Sequence, residues 1–592
     1  MRNEQAYYDE IKKKFAEERE IRVNFRPEGT AQFTSEFTGE LEKYAVDPYA
    51  EERVEREPIT DTVECLFIGG GFSALLTSAR LREHGVESIR IVERGADVGG
   101  TWYWNAYPGC RVDSPANIYQ YWFSQELLDD WAWSERFPAQ PEIKRYLKHV
   151  ANRFDLYSSI ELVTRVVSAH WIEQEGRWHV TTDAGVVYAV RYLVSCVGLL
   201  STPKVLSFPN QEAFKGQVYH TAQWPQEPID LKGLRVGVIG NGATGIQVIQ
   251  TLAPEVEALT VFQRTPQYAV RMKNYPIDEK IMAEWRADYP RLSQLVHSTF
   301  GGFPWDPAEE GHAATLTLEQ RREVLEECWA DGSLRMFVGT FPEVLVDPVM
   351  NEEVTEFVRE KIRVQINDPD LAQKLIPRDQ GYGLRRVPLE NGYYEAFNRS
   401  NVHLVDIKAA PIERFTEHGL VVGDKEYPLD ALIMATGFDA GTGTLSNMGV
   451  EGRGGKSLTA LWSQDIRTTL GLQVHGFPNL FLVGGPLSPI AAFCNVQTCA
   501  QQQVDWVTNA ILNVVNSGRS TMEPTAEREE EWIQHHDEVA NETLMMTIDS
   551  WYTGSNIEGK QRRLLSYIGG AHVYRELCDE IQAQGYPGFN IS

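Results

Sequence analysis

The sequence predicts an α/β fold with two Rossmann-like dinucleotide-binding domains, a helical insert and an N-terminal extension. Two glycine-rich motifs, residues 69–74 and 240–245, each follow an apolar run and precede a helical pattern. A strand, a tight glycine turn and a helix in this order direct the free amides of the helix N-terminus at a pyrophosphate. The predicted phosphate-binding residues are Gly69, Gly71, Phe72, Ser73 and Ala74 in the first motif and Gly240, Gly242, Ala243, Thr244 and Gly245, with Gln247, in the second.

The residue at the end of the second strand distinguishes the two predicted nucleotide sites. Glu93 and Arg264 each follow a strand pattern, at the same spacing from the first glycine of their motif. A carboxylate there accepts hydrogen bonds from a ribose 2′-hydroxyl, whereas an arginine suits a 2′-phosphate. The sequence therefore predicts one site for FAD and a separate site for NADP(H). A protein that holds both can pass a hydride from one to the other.

Composition excludes several classes of protein. With 592 residues, the chain is long enough for several domains. Its net charge of −27 argues against nucleic acid and anionic membranes as partners. The seven cysteines show no C-x-x-C or metal-ligand spacing, which predicts no metal site and reduced thiols in a cytoplasmic protein. We find no signal peptide and no apolar run long enough to span a membrane, and we expect a monomer or small homo-oligomer.

The order of patterns predicts a discontinuous first domain that is interrupted by the second. The expected divisions are an N-terminal extension over residues 1–60, an FAD-binding domain over 61–198 and 431–592, an NADP-binding domain over 203–268 and 383–430, and a helical insert over 269–382. The extension is expected to begin with a helix over residues 1–22. Alternating apolar residues predict a β-meander over residues 162–190 and an apolar strand over 192–198. Residues 203–228 are expected to form a linker.

One segment of this expected linker carries the most specific motif in the chain. Residues 214–225, FKGQVYHTAQWP, fit the pattern F-x-G-x-x-x-H-x-x-x-W-P. This motif resembles the signature of the type I Baeyer–Villiger monooxygenases, which use FAD and NADPH. The alternative is a linker whose aromatic side chains only pack between domains. We interpret His220 as a structural or hinge residue rather than a proton shuttle.

A second segment supports the same resemblance. Residues 99–114, GGTWYWNAYPGCRVDS, are similar to the family segment that covers the flavin. The resemblance implies FAD contacts for Gly100, Thr101 and Trp102, and it makes Asp113 the active-site aspartate. Ala106 stands where the family usually has arginine, which predicts a different local shape.

Four further segments extend the resemblance over most of the chain. Residues 383–387, GLRRV, resemble the family's G-x-K-R, so that Arg386 is the expected catalytic arginine over the flavin. Arg385 takes the place of the lysine that contacts the NADPH 2′-phosphate, and its guanidinium adds bidentate geometry. The resemblance also implies cofactor contacts for Thr265 in the R-T-P segment, for Thr436 and Gly437 in the A-T-G segment, and for Trp551 in a mobile loop that covers the nicotinamide.

The resemblance implies conversion of ketones, especially cyclic or bulky ones, to esters or lactones with NADPH and O2 through a peroxide at flavin C4a. Because a guanidinium stays protonated near neutral pH, Arg386 would stabilise the anionic oxygens, held in place by Asp113. The alternatives are N- or S-oxygenation on the same fold, a disulfide or quinone reductase, and an inactive flavin-binding scaffold. A disulfide reductase needs a redox-active cysteine pair beside the flavin, and we expect none here.

Overall fold

The computed structural model describes residues 32–34, 44–48, 50, 60–305, 312–490, 493–548, 551–554 and 562–592. The expected helix over residues 1–22 lies outside these ranges. The strands are β1 (Gln32–Thr34), β2 (Thr60–Ile68), β3 (Ile89–Val92), β4 (Ile160–Glu161), β5 (Val166–Ile172), β6 (Arg177–Thr182), β7 (Val187–Ser195), β8 (Val205–Ser207), β9 (Gln217–His220), β10 (Arg235–Ile239), β11 (Ala258–Gln263), β12 (Val270–Arg271), β13 (Leu389–Glu390), β14 (Val402–Asp406), β15 (Ile412–Phe415), β16 (Gly419–Val422), β17 (Lys425–Pro428), β18 (Ala431–Met434), β19 (Val450–Glu451), β20 (Leu480–Leu482), β21 (Met522–Pro524) and β22 (Phe589–Ile591).

Helices alternate with these strands, as the glycine motifs predict. The α-helices are α1 (Phe72–Glu83), α2 (Thr101–Trp104), α3 (Gln125–Asp130), α4 (Gln140–Arg153), α5 (Ala243–Leu252), α6 (Glu279–Ser298), α7 (His312–Thr315), α8 (Leu318–Asp331), α9 (Arg335–Val338), α10 (Pro348–Arg363), α11 (Pro369–Leu375), α12 (Tyr393–Ala396), α13 (Gly443–Ser446), α14 (Leu458–Gln464), α15 (Val496–Asn516), α16 (Ala526–Asn541) and α17 (Ala571–Ala583). Within the described ranges, no helix is long and apolar enough to cross a membrane.

The strand that precedes the first glycine motif, β2, belongs to an eight-stranded mixed sheet. Its strand order is β19-β5-β6-β7-β2-β3-β4, with β20 paired to β7. β2 pairs in parallel with both β3 and β7, and its carboxyl end leads into α1. The predicted meander is present as β5, β6 and β7 in antiparallel order. The end of the predicted meander and the apolar strand expected after it form one continuous strand, β7, which pairs along its length with β2.

The strand that precedes the second glycine motif, β10, belongs to a five-stranded parallel sheet. Its strand order is β14-β11-β10-β18-β9. This arrangement confirms the predicted fold class of two Rossmann-like domains. It also corrects two expectations. Ala431–Met434 pairs with β10 and so belongs to the second sheet rather than to the first domain. Gln217–His220 is not linker but the edge strand β9, which pairs with β18.

The region between β12 and β13 is helical, with α6 to α11 following one another. Local signals explain where these helices begin. The Asp278 side chain caps α6 by accepting the amide of Ile281, and Thr317 and Gln320 form a capping box at α8. The apolar faces of these helices join the same buried core as both nucleotide domains. The insert therefore packs against the functional region rather than apart from it.

Candidate active site

The first glycine motif forms a cradle that fits a pyrophosphate. Gly69 has φ +102°, and a Cβ there would lie 2.7 Å from the carbonyl oxygen of Cys196, so only glycine fits. α1 begins after Gly71 without a side-chain cap. Its first amides are therefore left for a ligand, in contrast to the capped amides of α6 and α8. Gly71 also touches Gly100, whose own Cβ would lie 2.9 Å from the Gly71 Cα.

Glu93 lies beside this cradle at the end of β3, as predicted. Its carboxylate is buried and accepts the amides of Gly70 at 2.5 Å and Gly95 at 2.6 Å. Burial raises the pKa of Glu93, and the two amide bonds oppose that shift. A carboxylate fixed in this way at the strand end suits a ribose hydroxyl.

The second motif has the same construction. Gly240 has φ +100°, and its Cβ would lie 2.4 Å from the carbonyl oxygen of Ala435. A Cβ on Gly245 would lie 2.2 Å from the Gly240 carbonyl oxygen, so the third glycine is required by close helix–strand packing. α5 begins after Gly242 with no side-chain cap. This second set of free amides fits a second pyrophosphate.

The arginines predicted to bind the 2′-phosphate lie on two segments that run side by side. Arg264 directly follows β11 and is exposed, whereas Arg385 is half-buried. The segment after Arg264 approaches the second arginine segment, because Gln267 Nε2 donates to the Arg386 carbonyl oxygen at 3.4 Å. Farther along, the two segments pair in parallel as β12 and β13. The fold therefore places the two arginine-bearing segments next to each other, although they are far apart in the chain.

Asp113 and Arg386 form a bidentate ion pair. Arg386 Nε donates to Asp113 Oδ2 at 2.9 Å, and Nη2 donates to Oδ1 at 2.8 Å. Arg386 Nη1 also donates to the carbonyl oxygen of Cys494 at 3.3 Å. Burial alone would lower the pKa of Arg386, but the Asp113 carboxylate raises it above its ordinary value. The Arg386 side chain is 19% exposed, and its guanidinium is a fixed positive charge.

Sequence reasoning missed two features of this pair's surroundings. Tyr552 is buried, and its phenol lies close enough to Arg386 for the guanidinium to oppose the rise in the tyrosine pKa that burial causes. Only its neighbour Trp551 carried a sequence signal. Cys494 and Cys499 have C-x4-C spacing, contrary to our expectation, and both are free and buried. They occupy the N′ and N4 positions of α15, where apolar side chains commonly pack together.

Both ring nitrogens of His220, which we interpret as a structural or hinge residue, have partners within the protein. Its Nδ1 accepts the Ala222 amide at 3.1 Å, and its Nε2 lies 3.2 Å from the Lys204 carbonyl oxygen. Nε2 also lies 3.1 Å from Oγ1 of Thr436, which itself donates to the Lys204 carbonyl. The Thr436 hydroxyl, predicted as a cofactor contact, is thus bonded within the protein. Burial lowers the pKa of His220 to about 4.

The His220 contacts predict a loss of stability in mild acid. Because the folded pKa is about 4 and the unfolded pKa about 6.5, the unfolded chain takes up the proton first. The free energy of unfolding should therefore fall as pH drops from 6.5 toward 4, by up to about 3 kcal/mol. Urea unfolding across this range measures the slope. His220→Asn should make the slope shallower, leaving the part due to His297, whose pKa burial also lowers to about 4, whereas His403→Asn, at an exposed histidine, should leave the slope unchanged.

The side-chain amide of Gln247, which we predicted as a cofactor contact, is hydrogen-bonded within the protein. Its Oε1 accepts the Tyr107 hydroxyl at 3.1 Å, and its Nε2 donates to the Arg111 carbonyl oxygen at 3.0 Å. Both partners belong to the segment that leads to Asp113. The Gln247 amide is therefore used to join α5 of the second nucleotide domain to the first domain.

Gly109 makes the closest approach at this domain junction. Its φ is +80°, and a Cβ there would lie 2.1 Å from Thr251 Oγ1 and 2.6 Å from the Gln247 carbonyl oxygen. We expect Gly109→Ala to lower the free energy of unfolding by roughly 2–4 kcal/mol, from left-handed backbone strain plus overpacking. Gly85→Ala is the matched control, because Gly85 has φ +81° with nothing near its Cβ. Equal losses in urea unfolding would show that the close approach carries no energy.

The remaining predicted residues lie around the two cradles. Phe72, Ser73 and Ala74 form the first turn of α1, Ala243 and Thr244 that of α5, Thr101 and Trp102 lie in α2, Gly437 follows β18, and Thr265 follows Arg264. Trp102 Nε1 donates to the Tyr119 hydroxyl at 3.1 Å.

The backbone of Trp551 lies in a short 3-10 helix, Trp551–Thr553, and residues 555–561 of the predicted mobile loop lie outside the described ranges. Among described residues, no group of His, Cys, Asp or Glu is arranged to hold a metal ion.

Two uncapped glycine-rich cradles and a bidentate arginine–aspartate pair indicate an oxidoreductase with two dinucleotide sites. A model of the flavin-binding monooxygenase-like family matches residues 63–287. The chain is 47% identical over 534 residues to an acetone monooxygenase (methyl acetate-forming) from Gordonia sp. (strain TY-5), covering 90% of this chain and 100% of that protein. It is similar to the structure of cyclohexanone monooxygenase from Rhodococcus sp. Phi1 bound to NADP+, with TM-score 0.87, 37% identity and coverage of 90% and 100%. The OTEMO complex with FAD and NADP gives TM-score 0.85, 36% identity and coverage of 90% and 99%.

The chain belongs to the flavin-binding monooxygenase family and, within it, to the Baeyer–Villiger monooxygenases. The resemblance predicted from the sequence motifs is thereby confirmed.

Proposed function

We propose that the protein converts ketones to esters or lactones, using NADPH and O2, with FAD as its prosthetic group. The observation that carries the proposal is the bidentate pair of Arg386 and Asp113 in a protein with two uncapped dinucleotide cradles. The cyclic or bulky ketones expected from the sequence remain candidates. The similarity to an acetone monooxygenase extends the proposed range to small acyclic ketones.

The two cradles divide the cofactors between them. We assign FAD to the amides after Gly71 and to the carboxylate of Glu93, and NADP(H) to the amides after Gly242 with Arg264 and Arg385 supplying positive charge for the 2′-phosphate. When bound, these cofactors supply hydride transfer and activation of O2. Two solved relatives bound to FAD and NADP or to NADP+ support this assignment.

Arg386 performs the electrostatic part of the reaction. Oxygen atoms gain negative charge as the ketone carbonyl is attacked, and a guanidinium that cannot lose its proton stabilises that charge without moving. Asp113 fixes the plane of the guanidinium through both of its hydrogen bonds. The buried phenol of Tyr552 lies close to this pair.

We also propose how the chain is divided among these tasks. Residues 61–198 and the segment from about 440 onward form the FAD-binding domain, and the five-stranded sheet with residues up to β18 forms the NADP-binding domain. Residues 269–382 form the helical insert. The seven free, buried cysteines suit a reducing compartment, which supports a cytoplasmic location.

The proposal is tested by incubating the purified, FAD-loaded protein with NADPH, O2 and a ketone panel that runs from acetone to polycyclic ketones. We expect ketone-dependent NADPH consumption and an ester or lactone heavier than the ketone by one oxygen. Parallel reactions with a dialkyl sulfide test S-oxygenation, and a disulfide reagent tests the reductase alternative that Cys494 and Cys499 raise. Reduction of the disulfide reagent without any oxygenated product would contradict the proposal.

A further inference from the structure

A short segment of the N-terminal extension lies against the turn that follows Glu93. Asp47, in this segment, is only 9% exposed. Its Oδ2 accepts the Tyr103 hydroxyl at 2.5 Å and the Ala96 amide at 3.0 Å. A buried carboxylate is costly unless hydrogen-bonded donors compensate for the lost water. Asp47 and its two donors therefore hold one another in place.

Both donors flank the proposed FAD site. Ala96 belongs to the turn that starts at Glu93, the residue assigned to the ribose. Tyr103 belongs to α2, directly after Gly100 of the cradle. The ring of Tyr103 packs on the turn, because a Cβ on Gly95 would lie 2.8 Å from the ring. Asp47 thus joins the turn that positions Glu93 to the helix that borders the pyrophosphate cradle.

The same segment also contacts the signature motif. Gln223 Nε2 donates to the carbonyl oxygens of Tyr44 at 3.2 Å and Val46 at 3.1 Å. The Tyr44 ring meets the His220 ring edge-on, with 5.6 Å between centroids. Arg94 Nη1 donates to the Tyr44 carbonyl oxygen at 3.5 Å. Residues 44–47 therefore contact the turn that follows Glu93 on one side and the signature segment, residues 214–225, on the other.

We propose that residues 44–47 form a strap over the ribose end of the FAD site, with Asp47 as a positioning residue that slows the release of FAD. The inference rests on the FAD site proposed above. The family-model match begins at residue 63, so the strap lies outside the matched region. Loss of Asp47 would free the turn after β3, so that Glu93 no longer meets the ribose in a fixed geometry.

The test uses the full-length holoenzyme and measures FAD itself. Asp47→Ala is expected to raise the FAD dissociation constant about tenfold, which corresponds to the loss of one charged hydrogen bond. FAD release is followed by the recovery of free-flavin fluorescence. Tyr103→Phe keeps the ring but removes the hydroxyl donor, and it should weaken FAD binding in the same direction by a smaller factor.

The matched control is Asp61→Asn. Asp61 pairs with Arg90 between β2 and β3 at 3.1 Å, on the same sheet but away from the turn, and its variant should hold FAD like the wild type. Unchanged FAD affinity in both Asp47→Ala and Tyr103→Phe would overturn the strap, as would a fall in apoprotein melting temperature without any loss of FAD affinity. If Asp47→Ala does not fold, Tyr103→Phe decides. A wild-type protein that binds no FAD would instead contradict the proposed function.

Discussion

Arg386→Ala is expected to abolish ester or lactone formation while FAD stays bound and NADPH still reduces it. The substitution removes the fixed positive charge that stabilises developing oxyanions, an effect worth at least 10²–10³-fold in rate. It also leaves the Asp113 carboxylate without its two guanidinium donors. Product formation is measured by gas chromatography, alongside NADPH consumption and hydrogen peroxide release. We expect NADPH consumption to continue with peroxide as the product.

The control for this variant is Arg321→Ala. The side chains of Arg321 and Arg386 are both 19% exposed. Arg321 also donates from two nitrogens to one carboxylate, that of Glu353. It differs from Arg386 in lying in the helical insert. It should leave ester formation unchanged. Arg386→Lys keeps the charge without the fork and should retain a small part of the activity. Ester formation at the wild-type rate in Arg386→Ala would remove Arg386 from the mechanism.

Arg264→Ala combined with Arg385→Ala is expected to raise the KM for NADPH by roughly a hundredfold or more, with a much smaller change for NADH. Each guanidinium supplies a charge-assisted contact to a 2′-phosphate, worth roughly ten- to hundredfold in affinity, and NADH lacks that phosphate. Steady-state kinetics with both nucleotides give the ratio. Each single variant should show an intermediate preference.

Arg414→Ala serves as the control for this pair. Arg414 is half-exposed on β15, in the neighbouring antiparallel sheet, and pairs with Glu413 at 3.6 Å. This variant tests whether removing any surface cation weakens NADPH binding by reducing the general electrostatic attraction of the anionic nucleotide. Its KM for NADPH should match the wild type. Equal increases in KM for NADPH and NADH in the double variant would contradict the 2′-phosphate assignment.

Much of the site was predictable because its signals are local. The glycines at 69 and 240 are required by positive φ angles and by close backbone contacts within a strand–turn–helix unit. Glu93 and Arg264 directly follow strands whose length and apolar pattern are readable from neighbouring residues. For Arg386 and Asp113, motif resemblance identified the residues, but their bidentate geometry joins positions 273 residues apart.

The contacts that the sequence patterns did not reveal fall where the partner is remote in sequence. Gln247 reads as part of a phosphate-binding motif, yet its amide is bonded to a residue 140 positions away in the other domain. Strand β9 reads as linker because it is short and pairs with β18, far along the chain. Tyr552 and Asp47 carried no pattern at all, since one buried phenol or carboxylate is indistinguishable in sequence from any other.

The sequence by itself determined the two nucleotide-binding units, the identity of the arginine–aspartate pair and the family, because glycine turns, strand periodicity and rare motifs depend on contiguous residues. The tertiary structure decided which strands share a sheet, which side chains join the two domains at Gly109 and Gln247, and what the extension contacts through Asp47. These features depend on packing between segments far apart in the chain. Such contacts are selected by the shape and polarity of surfaces that exist only after the chain has folded.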